Sequence, residues 1–384
     1  MSDTAITFRG GPIFDGTRLL DGHAITLDAG AVSLLGPEAE VAVRGKLVDL
    51  AGDILAPGYV DLQVNGGDGV MFNDDQSVTA LARIAAAHRR LGVATILPTL
   101  ITDTPDRSRA AIEAAVAAIA TGVQGIGGLH LEGPHLSIAR KGAHDPALIR
   151  RMTDGDLAMM IDAAGRLPSL MVTLAPENVT IDQVTVLSEA GVKVSLGHTD
   201  TDFATAMAYQ KAGARIVTHL FNAMSQLGSR EPGLVGAALA NGGLSAGLIA
   251  DGIHVHPAAF RAALAAKTGP GRIFLISDSM AAAGTSQTEF LLNGRTIRRA
   301  SGRLQLEDGT LAGADLDLTT AVNMLTSKGV GLETALAMAT SVPAVVAGLR
   351  DGNGTLVQGA RAWPIRLKRR EGALKFSPMS AGSA

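Results

Sequence analysis

The chain has 384 residues, with 33 lysines and arginines against 36 aspartates and glutamates, so its formal net charge is -3. This near-neutral balance argues against a nucleic-acid-binding protein, which needs a basic surface to neutralise phosphates. Apolar residues make up 47% of the chain and charged residues 18%, a composition that excludes intrinsic disorder. Cysteine is absent, so any metal must be bound by histidine and carboxylate side chains.

The beginning of the chain lacks the basic and apolar segments that are typical of a signal peptide. The alanine-rich stretch 110–131 is the best candidate for a membrane span, but it contains Glu113, Gln124 and His130 and is interrupted by glycines. A spanning helix needs about 20 predominantly apolar residues. We therefore expect a cytoplasmic protein with neither a membrane nor a nucleic acid as partner.

Short alternating runs near both ends of the chain predict small antiparallel strands. They occupy 24–27 and 31–35 in the first part of the chain, and 363–368 and 373–376 in the last part. We therefore predict a small β-sandwich domain built by both termini, from residues 1–53 and 350–384.

The middle of the chain alternates between short apolar runs and helical patterns. The helical patterns cover 79–91, 106–120, 154–166 and 201–212. The apolar runs number eight, at 59–63, 94–97, 126–130, 171–174, 193–196, 215–218, 244–249 and 273–276. Eight strands alternating with helices over about 250 residues are typical of an α/β fold, the (β/α)8 TIM-type barrel.

A doubly wound open sheet is the competing fold, but no glycine-rich G-x-G-x-x-G loop follows an early strand. We predict a barrel over residues 54–349, with an inserted hairpin at 295–313.

Metal-binding side chains follow four of the predicted strands. They are Glu132 after the third strand, His198 after the fifth, His219 after the sixth and Asp278 after the eighth. The carboxyl ends of barrel strands meet at one mouth, so these side chains would share a pocket. Two histidines and one carboxylate are a hydrolytic zinc set that leaves a position for water, and Asp278 would be the base that takes the proton from that water.

Each of these residues also has a structural interpretation. A single histidine at a strand end is more often a hydrogen-bonded structural residue than a ligand, and Asp278 could cap a helix. The joint occurrence of four such residues at one end of four strands favours the metal site. His23 and His88 lie outside this pattern, and we interpret both as structural or solvated.

Several motifs occur together and in order along the chain. They are PGYVD at 57–61, HLEGPH at 130–135, KGAH at 141–144, SLGHT at 195–199, THLFNAM at 218–224, REPG at 230–233, DGIH at 251–254 and SDSM at 277–280. The first resembles the opening strand of the amidohydrolase superfamily. The ordered set resembles the N-acetylglucosamine-6-phosphate deacetylase family of that superfamily, from about residue 57 to residue 325.

The resemblance implies a role for each matching residue. Glu132, His198 and His219 match the metal ligands, Asp278 the catalytic acid and base, and His144 a residue that polarises the acetamide carbonyl. Substrate contacts are implied for Ala143, His144, Asn222, Ala223, Arg230, His254, Leu311, Ala312 and Gly313. Arg230 matches a phosphate contact that reaches across a dimer interface in the family, and its alternative is a surface ion pair with Glu231. The alternative for His144 is capping of the loop.

Many superfamily members carry a His-x-His pair after the first strand, which helps to hold a second metal. Here Gln63 and Asn65 stand at those positions, and Ala175, Pro176 and Glu177 stand where a bridging lysine would follow the fourth strand. Neutral amides are weak ligands. We therefore predict one tight divalent metal per chain, zinc before iron, manganese or cobalt, with Gln63 touching it through water.

The predicted reaction is metal-dependent hydrolysis of N-acetylglucosamine 6-phosphate to glucosamine 6-phosphate and acetate. The expected partners are this sugar phosphate and, in a homodimer, a second copy whose Arg230 reaches the neighbouring site. Two alternatives are another enzyme of the superfamily, such as a cyclic amidase or a nucleobase deaminase, and a catalytically inactive barrel used as a binding module.

Overall fold

The computed structural model describes residues 5–350 and 352–379. The predicted β-domain also includes residues 1–4, 351 and 380–384, which lie outside the described residues. From residue 5 onwards, the strands that precede the barrel are β1 (Ile6–Arg9), β2 (Ile13–Phe14), β3 (Leu19–Leu20), β4 (His23–Asp28), β5 (Ala31–Pro37), β6 (Lys46–Asp49) and β7 (Ile54–Pro57).

Eight parallel strands then form the central sheet, in an order that follows the sequence. With the short hairpin β9–β10, these are β8 (Tyr59–Val64), β9 (Gly66–Gly67), β10 (Val70–Met71), β11 (Val93–Ile101), β12 (Leu129–Glu132), β13 (Leu170–Leu174), β14 (Lys193–Leu196), β15 (Ile216–Val217), β16 (Ser245–Leu248) and β17 (Ile273–Leu275). A parallel bridge between Val64 and Ser279 brings the last strand region next to the first. The predicted (β/α)8 barrel is therefore confirmed.

Helices connect these strands and pack outside the barrel. They are α1 (Val78–Arg89), α2 (Pro105–Ala120), α3 (Asp154–Arg166), α4 (Ile181–Glu189), α5 (Phe203–Ala212), α6 (Gly233–Ala240), α7 (Pro257–Ala266), α8 (Leu318–Ser327), α9 (Leu332–Ala339) and α10 (Ser341–Val346), with a 3-10 turn at Ile138–Arg140. Thr153 and Thr180 begin α3 and α4 with reciprocal capping boxes, which satisfy backbone groups that a helix start leaves free. Among the described helices, none combines the length and apolar character that a membrane span requires.

An antiparallel sheet of four strands is inserted after the eighth barrel strand. Its strands are β18 (Glu289–Leu292), β19 (Arg295–Ala300), β20 (Arg303–Gln305) and β21 (Leu311–Ala314). The hairpin predicted at 295–313 therefore covers only part of the inserted sheet, which runs from Glu289 to Ala314. The sequence does not predict β18, because only Leu292 among its four residues is buried and the strand therefore lacks a run of buried apolar residues.

The last two strands, β22 (Pro364–Arg370) and β23 (Ala373–Ser377), return to the strands from the start of the chain. One sheet has the order β5-β4-β1-β6 and the other β23-β22-β7-β2-β3. Phe8 and Ile25 from the first sheet share a buried core with Leu55 from the second, so both termini build one β-sandwich. This sandwich includes β7, which the sequence prediction assigned to the barrel.

One buried histidine in α1 makes stability depend on pH. Nε2 of His88 donates a hydrogen bond to the carbonyl oxygen of Gly66 at 3.0 Å, and burial lowers the pKa of His88 from 6.5 to about 4. The unfolded chain therefore binds a proton at a higher pH than the folded chain does. The free energy of unfolding should fall as the pH drops below 6.5 and level off below 4, with a loss from His88 of about 2 kcal/mol at pH 5.

Denaturant unfolding of the wild type and of His88→Gln, which keeps a side-chain amide donor, at pH 7 and pH 5 measures this loss. The variant should lose less stability between the two pH values than the wild type. His23→Gln, which changes a half-buried histidine of β4, is the matched control. Equal acid sensitivity in wild type and His88→Gln would contradict the assignment.

Candidate metal centre

Three buried side chains converge at the carboxyl ends of the barrel strands. Glu132 is the last residue of β12, and His198 and His219 each lie two residues beyond the ends of β14 and β15. The Nε2 atoms of the two histidines are 3.0 Å apart, and Oε1 of Glu132 is 3.3 Å from His198 and 3.1 Å from His219. This is the only such cluster found among the described residues.

The hydrogen bonds behind the two histidines identify the nitrogen that faces the site. Nδ1 of His198 lies 2.8 Å from the carbonyl oxygen of Arg140, and Nδ1 of His219 lies 3.1 Å from that of Asn222. A carbonyl can only accept, so both Nδ1 atoms carry protons and both Nε2 lone pairs face Glu132.

Three lone-pair donors so close together repel one another unless a cation lies between them. Ligands that stand 2.0–2.1 Å from a tetrahedral zinc ion are about 3.3 Å from one another, which the observed separations match. Glu132, His198 and His219 therefore fit a divalent metal ion.

The electrostatics of the cluster favour positive charge. Burial alone would raise the pKa of Glu132, but protons shared with the neighbouring imidazoles, which take the place of the cation when no metal is bound, hold that pKa well below its usual range. Burial would lower the pKa of His219, but the bond to Glu132 raises it instead. Glu132 is thus ionised and ready to bind a cation.

Asp278 lies beside this cluster, three residues beyond β17. Its Oδ1 accepts hydrogen bonds from Nδ2 of Asn65 at 2.8 Å and from Nε2 of Gln63 at 3.1 Å. Burial, and then repulsion by Glu132, raises the pKa of Asp278 to about 6. A carboxyl group with a pKa near neutrality can both take and return a proton, as a general acid and base must.

Gln63 joins Asp278 to the ligand cluster. Its Nε2 also donates to Oε1 of Glu132 at 3.1 Å, while its own Oε1 is buried and has no hydrogen-bond partner among the described residues. Oδ1 of Asn65 is a second buried acceptor without a described partner. These two acceptors are available for hydrogen bonds from ordered water, and a contact between Gln63 and the metal through water stays a prediction.

His144 borders the cluster from the loop after β12. Its Nε2 lies 3.9 Å from Oε2 of Glu132, and its ring meets that of His198 edge to face at 4.4 Å between centroids. Burial, and then the neighbouring His198, lowers the pKa of His144 to about 3. His144 is therefore a neutral imidazole that can donate or accept a hydrogen bond.

The cluster opens into a cavity of about 410 Å³. Most of the substrate contacts expected from the sequence line it: Ala143, His144, Asn222, Ala223, His254, Leu311 and Gly313. Ala312 does not line the cavity, because its side chain is buried in the core of the inserted sheet. His254 is oriented by a bond of 2.6 Å from its Nδ1 to Oδ2 of Asp251.

Arg230 lies outside this cavity. Its side chain is exposed, and the expected alternative, an ion pair with Glu231, is not formed. Oε1 of Glu231 instead accepts hydrogen bonds from the backbone nitrogens of Phe203 and Gly233. Arg230 therefore does not line its own chain's cavity, and the predicted phosphate contact in a neighbouring subunit stays a prediction.

The inserted sheet supplies one wall of the cavity. The side chain of Arg295 in β19 donates to the carbonyl oxygen of Ala143, and the backbone nitrogen of Ala314 in β21 donates to the carbonyl oxygen of Asp278 at 2.8 Å. Gly313 has a φ of 66°, and a Cβ there would lie 2.7 Å from the same carbonyl oxygen. The close approach of β21 to Asp278 thus requires glycine.

Three features of the site are not visible in the sequence. His198, His219 and Asp278 have φ angles of 47°, 30° and 48°, in the left-handed region that non-glycine residues rarely adopt. The carbonyl of Arg140 orients a ligand, and a backbone group has no sequence signal of its own. Asn65 was read from the sequence only as a weak metal ligand, and the structure shows it as a donor to Asp278.

A larger cavity, of about 830 Å³, lies at the opposite end of the barrel. Its lining includes Gly58, Lys193 and Trp363 at the amino ends of strands and in the β-sandwich. It contains none of the clustered ligands. Size alone would therefore point to the wrong end of the barrel, and the chemistry of the side chains identifies the candidate site.

Comparisons with known proteins agree with this geometry. The model of the Amidohydrolase family matches residues 54–370. An N-acetylgalactosamine-6-phosphate deacetylase of Shewanella sp. (strain ANA-3) is 42% identical over 77% of this chain and 74% of the relative. An N-acetylglucosamine-6-phosphate deacetylase of Haemophilus influenzae is 33% identical over 89% of each chain. The crystal structure of N-acetylglucosamine-6-phosphate deacetylase from Pasteurella multocida superposes with a TM-score of 0.91 at 30% identity, covering 96% of this chain and 97% of that one.

The three-ligand cluster predicts the metal content of the purified protein. We expect one tightly bound divalent ion per chain, and His198→Ala or His219→Ala should each lose most of it, because two remaining ligands leave the ion exposed to water and chelators. Elemental analysis after dialysis measures this content. His88→Gln is the control and should retain the ion. Two tight ions in the wild type, or an undiminished ion in both alanine variants, would contradict the site.

Proposed function

Because this chain belongs to the amidohydrolase family, we propose that it hydrolyses the acetamide of N-acetylglucosamine 6-phosphate to glucosamine 6-phosphate and acetate. The observation that carries the proposal is the cluster of Glu132, His198 and His219 with Asp278 beside it, at the mouth of a cavity large enough for a small ligand. The names of the relatives, which are deacetylases of N-acetylhexosamine 6-phosphates, support the substrate class.

The metal in this proposal is one divalent ion per chain held by Glu132, His198 and His219. When bound, it would supply Lewis-acid polarisation of the carbonyl and a more acidic water. Zinc is the first candidate because two imidazoles and a carboxylate suit it, and iron, manganese and cobalt accept the same ligands.

Asp278 moves the proton in the proposed reaction. It takes a proton from the attacking water, whose oxygen bonds to the carbonyl carbon of the acetamide. It then passes that proton to the nitrogen as the C–N bond breaks, so that the amine leaves neutral together with acetic acid, which loses its proton to solvent and becomes acetate. The two amide donors on Oδ1, from Gln63 and Asn65, hold the carboxylate in place during both transfers.

His144 donates a hydrogen bond to the carbonyl oxygen, where negative charge develops as water attacks. Asn222, Ala223 and His254 line the cavity, and we assign them the contacts to the sugar. A 6-phosphate calls for a fixed cation, and the guanidinium of Arg230 fits phosphate with two parallel hydrogen bonds.

The exposed position of Arg230, outside its own cavity, supports a homodimer in which this side chain reaches the neighbouring site. We also propose a cytoplasmic location, because a charged sugar phosphate does not cross a lipid bilayer unaided.

A second candidate substrate is N-acetylgalactosamine 6-phosphate. The relative from Shewanella, at 42% identity, carries that activity in its name, and the two sugars share the acetamide and phosphate that the site addresses. No observation favours a cyclic amidase, a nucleobase deaminase or a catalytically inactive barrel.

Turnover of four sugars tests the proposal: the two N-acetylhexosamine 6-phosphates and their unphosphorylated forms. We expect kcat/KM to be higher by about 10- to 100-fold for the phosphorylated sugars, the range that charge-assisted hydrogen bonds to phosphate provide. This preference should shrink in Arg230→Gln, while Arg215→Gln, at the amino end of β15 away from the site, should leave it unchanged. Equal rates with and without phosphate would point to a different substrate class, and the faster of the two epimers identifies the substrate.

Asp278→Asn tests the proton transfer. We expect kcat to fall by about 10³-fold with little change in KM, because the amide keeps the shape of the carboxylate but cannot take the proton. Steady-state kinetics and elemental analysis of the same preparation separate this loss from loss of metal. A variant that retains its metal and turns over at a near-normal rate would remove Asp278 from the mechanism.

A further inference from the structure

Thr102 contacts His144, and the inference drawn from this contact rests on the proposed function of His144. Thr102 directly follows β11 and is 1% exposed. Its backbone nitrogen donates to Nδ1 of His144 at 3.4 Å, and its hydroxyl oxygen lies 2.7 Å from the same Nδ1. Both polar groups of one residue thus face the same ring nitrogen.

These contacts decide which nitrogen of His144 carries the proton. A backbone N–H can only donate, so Nδ1 acts as the acceptor. The hydroxyl can also donate to Nδ1, and at 2.7 Å that bond is better than its alternative, the carbonyl oxygen of Glu132 at 3.4 Å. A neutral imidazole whose Nδ1 accepts keeps its single proton on Nε2.

The Nε2 atom of His144 is the one that faces the metal ligands, 3.9 Å from Oε2 of Glu132. With its proton there, His144 presents an N–H donor to an oxygen bound in the cavity. With the other tautomer it would present a lone pair, which repels a developing oxyanion. We propose that Thr102 is a positioning residue that holds His144 in the Nε2–H tautomer and so makes it a hydrogen-bond donor to the carbonyl oxygen of the substrate.

Hydrogen bonds hold the residues on both sides of Thr102 in place, so that Thr102 can position His144. The buried side chain of Asn73 pairs with both backbone groups of Ile101, with bonds of 3.0 and 3.1 Å, and its Nδ2 also donates to Oδ2 of Asp103 at 2.9 Å. The residues on both sides of Thr102 are therefore fixed. Gly133 leaves room for the hydroxyl, since a Cβ at that position would lie 2.3 Å from Oγ1 of Thr102.

Thr102→Val and Thr102→Ser separate the hydroxyl from the space that it fills. Valine has the shape of threonine without the donor, so kcat should fall by about 10-fold or more with KM nearly unchanged, because a donor used at the oxyanion is weakened. Serine restores the hydroxyl and should recover most of this loss. Thr95→Val makes the same chemical change at the opposite end of β11, where the hydroxyl bonds to Asn353, and should leave kcat unaltered.

A second measurement reads the tautomer without any substrate. In ¹⁵N spectra of histidine-labelled, metal-loaded protein, with the signals of His144 identified by their loss in His144→Gln, the wild type should show an unprotonated Nδ1 and a protonated Nε2. In Thr102→Val the Nδ1 signal should move towards the protonated position.

The outcomes are distinct. A wild-type Nδ1 that carries the proton, an unchanged kcat in Thr102→Val, or a Thr102→Ser variant as slow as the valine variant with its metal retained would each overturn the proposal. If the wild type hydrolysed none of the sugar phosphates, the proposed function would fail, and the ¹⁵N spectra would still decide the tautomer.

Discussion

Repulsion among three lone pairs is the constraint on which the site depends. The structure holds Oε1 of Glu132 and the Nε2 atoms of His198 and His219 within 3.0–3.3 Å of one another, inside a buried pocket. Backbone carbonyls fix the protons of both rings on the far side. A cation relieves this repulsion, so ion binding and the folding that brings the three groups together stabilise each other.

The barrel makes this arrangement possible because its parallel strands all end at one mouth. Glu132 lies at least 66 positions away from either histidine in the chain, yet β12, β14 and β15 carry all three to the same rim. Left-handed backbone at His198 and His219 then turns each side chain into the pocket. The surrounding strands and hydrogen bonds offset the conformational strain of these backbone angles.

A second layer of groups controls protons at the site. Gln63 and Asn65 orient Asp278, and the environment of Asp278 raises its pKa towards neutrality. Thr102 faces His144 in the way that the carbonyls of Arg140 and Asn222 face the ligand histidines. The difference is one of direction: the carbonyls accept and leave Nε2 free to bind a metal, whereas Thr102 donates and leaves a proton on Nε2.

The sequence by itself determined the barrel, the order of its strands and the set of candidate metal ligands, because apolar runs and ordered motifs are local properties of the chain. The two-sheet sandwich from both termini was visible for the same reason. The extent of the inserted sheet, the burial of Ala312 and the position of Arg230 outside its own cavity were decided only by the tertiary structure. So were the tautomers of His144, His198 and His219, since they depend on the groups that the folded backbone brings to each ring: Thr102, the carbonyl of Arg140 and the carbonyl of Asn222.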